Sequence, residues 1–560
     1  MTTAAELFCR DLAAGLAALG VASAAVSPGS RNAALSLAFE AEPGIDTTVH
    51  HDERSAAFFA LGAAKAARLP AVLVCTSGTA AAHYSPAIIE ARHARVPLIV
   101  ITADRPPELR GASAPQTIDQ IKLYGAAVKW FHEVGVPDDA IAARAADIAL
   151  RAWVAASESP SGPVHLNVHL RDPMISGPTP EPGRVPNRPG LGTRRLSTRD
   201  CERLVDQISG RRGLLIAGGR PSGNFAAAAR PLAAALRIPV IADPQARFTS
   251  PNVMGYGDLL ASTGWLEQLP PELVLRTGPL PTSKPLWRWL ESGAVSQIYL
   301  DDGPWRDPLG SVTTAYRTDP AGALGSITDM VAPAPDDWLE AWLSADETAG
   351  EAVEATLASE AFPNEPAIAR AVYRSAPAAS IVYAGSSMPI RDLDAVAGPT
   401  REGIEIMANR GANGIDGLLS AAGGAARTTG RPVIVHAGDL SVVHDAGGLG
   451  TLARLGLPVT AIVVDNDGGG IFHFLPQADP ASVPSDRFEK VFGAPHGLDL
   501  TRIAEAYGVP ATTVASLTDL EAAIADPPAA PSLVRVQTDR AGNVAVHERL
   551  RAAVRERLAG

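Results

Sequence analysis

Short apolar runs that alternate with helical stretches constrain this chain more than any other feature. Ala71–Cys75 and Pro97–Thr102 are such runs, bounded by turn residues; Ala24–Val26, Thr47–His51 and Val164–Val168 are further strand candidates, with helical pattern between, as from Ser55 to about Arg68. Runs that are apolar at successive positions belong to strands covered on both faces, and strands interleaved with helices build βαβ units around a parallel sheet. The pattern resumes at Leu214–Ala217, and again at Ser380–Tyr383, Pro432–His436 and Pro458–Val464.

Proline breaks the series twice. Six prolines between Pro173 and Pro189 leave a stretch too rigid and donor-poor for regular structure, so it reads as a linker. Pro333–Pro335 leads into a helical region rich in Ala and Glu. At roughly 150 residues per domain, the 560 residues divide into three α/β domains over 1–175, 190–335 and 350–560. No short-period repeat is present, but the first and third blocks are candidates for two copies of one fold.

Charge and cysteine use narrow the function classes. With 48 basic and 60 acidic residues the net charge is −12, which argues against non-specific nucleic-acid binding. An anionic ligand must then meet a local cluster of Arg and Lys. Cys9, Cys75 and Cys201 are too few and too scattered for a disulfide framework or a zinc site, which points to a reducing, cytoplasmic setting. No apolar run approaches the roughly 18 residues of a membrane span. Leu12–Val26 is apolar and follows Arg10, yet Glu6 and Asp11 spoil a basic leader, and Leu12, Leu16 and Leu19 mark an amphipathic first helix.

The strongest chemical signal is a pair of turns in the third block. One predicted strand runs into Gly438-Asp439-Leu440-Ser441, followed by a helical segment from His444 to Leu455; the next ends in Asp465-Asn466-Asp467-Gly468-Gly469-Gly470. In a parallel sheet both turns lie on the carboxyl edge, where ligands bind. An Asp carboxylate and an Asn amide oxygen meeting there make a hard oxygen site of the kind Mg²⁺ uses, with phosphate and water completing the octahedron. The glycines let backbone N–H groups approach a diphosphate. Either turn alone is commonplace. The pair is specific, because the 26 residues between Asp439 and Asn466 accommodate a helix and a strand.

Gly-Asp, this gap and Asn-Asp-Gly resemble the thiamine diphosphate binding motif. The resemblance implies a Mg²⁺ or Mn²⁺ ion held by Asp439, the Asn466 side chain and the Gly468 carbonyl, with Asp467 only a turn residue. It also implies three doubly wound parallel-sheet domains: pyrimidine-binding, central and diphosphate-binding. Superfamily members carry, after a strand and before a helix of the first domain, a Glu that bonds to N1′ of the cofactor's aminopyrimidine; Glu53 in His51-Asp-Glu-Arg-Ser55 stands at that place.

Further segments narrow the family: Ser27-Pro-Gly-Ser-Arg-Asn32, Cys75-Thr-Ser-Gly-Thr79, Thr102-Ala-Asp-Arg-Pro106, Gln116-Thr-Ile-Asp-Gln120 and Asn409-Arg-Gly-Ala-Asn-Gly-Ile-Asp-Gly417. Together they resemble the menaquinone-pathway 2-succinyl-5-enolpyruvyl-6-hydroxy-3-cyclohexene-1-carboxylate synthases. That family decarboxylates 2-oxoglutarate on thiamine diphosphate and adds the resulting carbanion to isochorismate. Up to four carboxylates enter one pocket, a task for Arg, which is always charged and bidentate.

Carried over position by position, the resemblance assigns Ser30, Arg31, Arg105 and Gln116 to isochorismate, and Ser387, Arg391 and Arg410 to 2-oxoglutarate. Ile415 corresponds to the apolar wedge that bends the cofactor. Leu440, Ser441, Gly470 and Ile471 join it as cofactor contacts, with Phe472 and Leu475 as pocket walls. Lys284 is the middle-domain candidate, but Pro285 stands where the family commonly has a second cation, leaving Arg276 or Arg288 to compensate. The resemblance further implies a homodimer or homotetramer, since the Glu-bearing domain of one chain meets the diphosphate-binding domain of another. The nearest alternative is another thiamine diphosphate-dependent 2-oxo acid decarboxylase or carboligase. A non-catalytic scaffold of the same fold is disfavoured by retention of Glu53, Asp439 and Asn466. Gly218-Gly219 reads as an ordinary βα turn, and His165 and His169 as packing residues.

Overall fold

The computed structural model describes residues 2–559. They form three parallel sheets. The first contains β1 (Ser23–Val26), β2 (Asp46–Val49), β3 (Ala71–Cys75), β4 (Leu98–Asp104), β5 (Trp130–Gly135) and β6 (Val164–His169), in the order β2-β1-β3-β4-β6-β5. The second contains β7 (Gly213–Ala217), β8 (Val240–Ala242), β9 (Leu273–Thr277), β10 (Ser296–Asp301) and β11 (Thr314–Arg317), in the order β11-β10-β9-β7-β8. The third contains β12 (Ile381–Ala384), β13 (Glu405–Ala408), β14 (Val433–Gly438), β15 (Val459–Asp465), β16 (Ala511–Thr513) and β17 (Ser532–Gln537), in the order β13-β12-β14-β15-β17-β16.

Renumbered within each sheet, the first and third share one order, 2-1-3-4-6-5, as two copies of one fold would. Strand order reverses between the first and third strands of each sheet. That switch opens a crevice at the carboxyl edge, the usual ligand position in open α/β sheets. The loops after β1 and β3, and after β12 and β14, are therefore the ones best placed to bind.

Several expected boundaries move. The first helix, marked in the sequence by Leu12, Leu16 and Leu19, is Ala4–Ala18; Gly20 turns the chain at φ +93°, and β1 follows at the predicted Ala24–Val26 strand. The predicted helix from His444 to Leu455 is two pieces, Asp439–His444 and Ala446–Leu455. They part at Asp445, whose buried carboxylate accepts the backbone N–H and hydroxyl of Ser420 at 2.8 and 2.9 Å. Among the described residues, no helix is long and apolar enough to cross a membrane.

Two helices lock the first sheet onto the third. Glu53–Ala67 crosses Leu418–Thr429 so closely that a Cβ on Gly62 would sit 1.9 Å from the carbonyl oxygen of Ala421, and one on Gly424 1.9 Å from that of Phe59. Glycine is obligatory at this crossing. Phe58, Phe59, Leu418 and Leu419 fill the rest of the contact. Gly424→Ala should cost about 1–3 kcal/mol or more through overpacking, read as a lower thermal unfolding midpoint. Gly177→Ala, which meets nothing within 4 Å, is the control and should leave it unchanged. The central sheet joins the third through the helix Asp336–Ser359, whose Trp338 and Trp342 are buried in their shared core.

Candidate active site

The two predicted turns of the third sheet touch. Asp439 opens its helix directly after β14, and its buried carboxylate accepts the N–H of Leu440 at 2.6 Å and that of Gly468 at 2.8 Å. Gly468 lies at φ +140°, and a Cβ there would fall 1.9 Å from the Gly493 carbonyl oxygen, so no other residue fits. Arg540, from the C-terminal helix, donates to the Asn466 carbonyl at 2.9 Å and to that of Asp467, bracing the turn from behind.

These groups suit a hard cation. Asn466 gives its amide N–H to Glu365 at 2.8 Å, and its Oδ1 is buried without a hydrogen-bond partner. Such an orphaned acceptor is costly unless something electropositive meets it. Burial pushes the Asp439 carboxyl above its ordinary range, against the pull of the Gly468 and Leu440 N–H groups; a divalent ion would favour the charged form. Glu365 was not foreseen. It also accepts from Asn543 at 2.8 Å and Thr538 at 3.2 Å, which fixes how the Asn466 amide is turned. His496 was not foreseen either: its Nε2 lies 3.3 Å from Asp439 Oδ2 and 3.8 Å from Asp465 Oδ1. Asp439, Asp465 and His496 are close enough to hold an ion together, but Asp465 is already paired with Arg535 at 2.5 Å. Asp467 does more than turn the chain, because its carboxylate accepts the N–H groups of His496 and Gly497.

Beside this turn a narrow crevice brings together Ile415, Ser441, Ser386, Asn409 and Asn413. Ser387, at φ +71°, follows β12 across the switch point, and its carbonyl accepts from Arg391 at 2.6 Å. Burial, and next the neighbouring Arg410, hold the Arg391 guanidinium below its usual range. Two half-buried cations thus lie within each other's field. Gly470, Ile471 and Phe472 share a 3₁₀ turn that ends just before Leu475, and the Phe472 ring packs on Phe492 at 5.5 Å.

At the carboxyl edge of the first sheet, three loops converge. Gly29 lies against Thr76, Gly78 against Gln116, and Gln116 exchanges hydrogen bonds with Ser77 at 2.9 and 3.1 Å. Arg105 donates to the Pro115 carbonyl from both Nε and a terminal nitrogen. Arg31 donates to the Leu170 carbonyl at 2.9 Å, and Ser30 beside it is exposed. Glu53 is the first helical residue after β2, with Asp52 as its cap accepting from Arg54 and Ser55. Its charge reaches Cys75 at the end of β3, whose thiol burial has already pushed up. Glu53 is not among the residues lining the third-sheet crevice of its own chain.

The middle-domain candidates differ in their surroundings. Lys284 is exposed at the start of the helix Lys284–Glu291, and Arg288 is exposed further along it. Arg276 cannot compensate for Pro285, because it is fully buried and paired with Asp307 at 2.9 Å and Gln297 at 3.1 Å. A cavity of about 1050 Å³ lies where the three domains meet, and Arg410 reaches its wall from the third-domain side. Gly218 and Gly219, on another wall, pack against Pro279. His165 and His169 are buried, one bonded to Thr102 and the other to Glu133.

Three parallel-sheet domains with a hard-oxygen turn at the switch point of one sheet, and a Glu-bearing helix after the edge strand β2 of another, define a thiamine diphosphate-dependent enzyme. Residues 8–123 match the family described as "Thiamine pyrophosphate enzyme, N-terminal TPP binding domain", and residues 403–536 match its C-terminal TPP binding domain. The chain is similar over its whole length to 2-succinyl-5-enolpyruvyl-6-hydroxy-3-cyclohexene-1-carboxylate synthases. It is 37% identical to that of Geobacillus thermodenitrificans, over 100% of this chain and 98% of the relative. It is 38% identical to that of Chloroflexus aurantiacus (98% and 96%) and 39% to that of Myxococcus xanthus (97% and 96%). The chain belongs to this synthase family. Benzoylformate decarboxylase from Polynucleobacter necessarius has the same fold, with a TM-score of 0.70 at 18% identity over 96% of this chain and 99% of that one. So does a protein from Mycobacterium smegmatis described as "a putative thiamin diphosphate-dependent enzyme", with a TM-score of 0.71 at 20% identity over 96% and 100%.

Proposed function

We propose that this chain carries out the reaction its family implies: decarboxylation of 2-oxoglutarate and conjugate addition of the remaining four-carbon fragment to isochorismate. The products are CO₂ and 2-succinyl-5-enolpyruvyl-6-hydroxy-3-cyclohexene-1-carboxylate, in menaquinone biosynthesis. Thiamine diphosphate, when bound with Mg²⁺ or Mn²⁺, supplies the nucleophilic carbon and the electron sink. Asp439, Asn466 and the Gly468 carbonyl would hold the ion; Leu440, Ser441, Gly470 and Ile471 would line the cofactor, and Ile415 would supply the apolar wedge against it. Glu53 holds a proton at N1′ and moves it as the reaction requires.

Arg391 and Arg410, with Ser387, hold 2-oxoglutarate; Ser30, Arg31, Arg105 and Gln116 hold isochorismate. Phe472 and Leu475 keep water from the reacting carbon. Lys284 belongs to this reading as a contact to isochorismate. So does a homodimer or a homotetramer built from two, in which Glu53 serves the partner's crevice. The three free, buried cysteines accord with a cytoplasmic location. The observation that carries the reading is that Arg391 and Arg410 lie within each other's field, in a chain that aligns end to end with the synthases.

The test is CO₂ release from 2-oxoglutarate, with and without isochorismate, against pyruvate. Pyruvate lacks the distal carboxylate, and one charge-assisted contact is worth roughly 1.5–3 kcal/mol, so 2-oxoglutarate is favoured in kcat/KM by about one to two decades. Arg31→Ala should leave single-turnover CO₂ release nearly intact and raise the KM for isochorismate by about tenfold or more. Equal use of pyruvate would favour a different decarboxylase or carboligase. Lost CO₂ release in Arg31→Ala, with normal isochorismate capture, would overturn the division of the pocket.

A further inference from the structure

The loop Asn409–Gly417 carries Arg410 and Ile415, yet what holds it is a side chain of another domain. Glu90, on the helix Ser85–Ala94 of the first domain, is 1% exposed. Its Oε1 accepts the N–H of Gly411 at 3.0 Å, and its Oε2 accepts those of Ala412 and Asn413 at 2.7 and 2.9 Å. Three successive backbone donors around one carboxylate form an anion-binding nest, here filled from within the protein. Lys65 completes it: its ammonium lies 3.8 Å from Glu90 and donates to the Ala408 carbonyl at 2.7 Å and to Asn409 Oδ1 at 2.9 Å. Tyr383 donates to the same Asn409 oxygen at 2.7 Å. Gly411 presses so close that a Cβ would lie 2.6 Å from the Ala94 nitrogen.

A buried carboxylate is tolerated only where hydrogen bonds and an opposite charge satisfy it. Every partner of Glu90 here lies between Ala408 and Asn413 or on Lys65, so the satisfied state exists only with the loop in this one position. No local hydrogen-bond ladder in the loop would do the same, since residues 409–417 form neither helix nor strand. We propose that Glu90 is a positioning residue for 2-oxoglutarate, fixing from the first domain the loop that places Arg410. This rests on the assignment of Arg410 to that substrate. Glu90→Gln removes the charge opposite Lys65 and turns N–H donors toward the loop's own donors, so the loop moves and Arg410 moves with it.

The test uses the full chain with thiamine diphosphate and Mg²⁺, in four forms: wild type, Glu90→Gln, Arg410→Ala and the double variant. Glu90→Gln is expected to raise the KM for 2-oxoglutarate at least fivefold. In the Arg410→Ala background the same change should move KM less than twofold. Arg410→Ala with an unchanged KM overturns the assignment of Arg410, and the role of Glu90 with it. Arg410→Ala with a raised KM overturns the role of Glu90 alone if Glu90→Gln either leaves KM unchanged or raises it equally in both backgrounds. Deuterium exchange on the unmutated holoenzyme is independent of how the variants fold. The N–H groups of residues 411–413 should be strongly protected, although Ala412 is exposed; free exchange there overturns the proposal.

Discussion

Glu53→Gln is expected to bind thiamine diphosphate with near-normal affinity and to lose about 10²–10⁴ of its turnover, the range of a general acid–base contribution. The replacement is nearly isosteric and sits at the first helical position, where the backbone N–H has no intrahelical partner to lose. Asp52 retains its bonds to Arg54 and Ser55, so the helix end stays capped. What disappears is a group able to exchange a proton with N1′. Initial rates of CO₂ release, beside calorimetry for the cofactor, decide the matter; a loss smaller than tenfold would remove Glu53 from this role.

The second large effect is expected for Asp439→Ala, which should abolish measurable binding of thiamine diphosphate with Mg²⁺ while the chain stays folded. Asp439 is the acceptor for the Gly468 N–H at 2.8 Å, and in the proposed site it would also supply a charge toward the ion. Without it, a buried donor is left unpaired at a cost of about 1–3 kcal/mol, local to the turn and small against three sheets and their cores. Unchanged cofactor affinity by calorimetry would sink the assignment. The two variants also test the assembly together. Were each site built between chains, mixed dimers of Glu53→Gln and Asp439→Ala would hold one native site of two, and an equal mixture would recover about a quarter of wild-type activity. No recovery after subunit exchange would place Glu53 and Asp439 of one site on the same chain.

Much of the architecture was legible because its signals are local. Apolar runs such as Ala71–Cys75 become strands buried on both faces at all five positions, and this is visible without knowing what covers them. The turns at Asp439 and Asn466 could be paired because parallel strands deliver every following loop to one edge. Strands with polar or half-exposed faces were harder. β5 and β16 escaped notice, β5 carrying Trp130, His132 and Glu133 half-buried at the sheet's edge and β16 being three residues long with two of them exposed; β8–β11, β13 and β17 were not singled out either, although β8 and β9 are buried throughout.

What the sequence alone determined, then, is the alternation that forces three parallel α/β units, and the residue types waiting at their carboxyl edges. What only the tertiary structure decided is which distant groups satisfy one another. Glu365 turns the Asn466 amide from 101 residues away, and Glu90 grips Gly411 from 321. Asp445 breaks a helix to reach Ser420, and Arg276 is withdrawn from any ligand by Asp307. Each is a polar group sealed from water, which must find its partner wherever the packed chain supplies one. Helical and strand periodicity record which face of an element is buried, but they carry no record of what that face will meet.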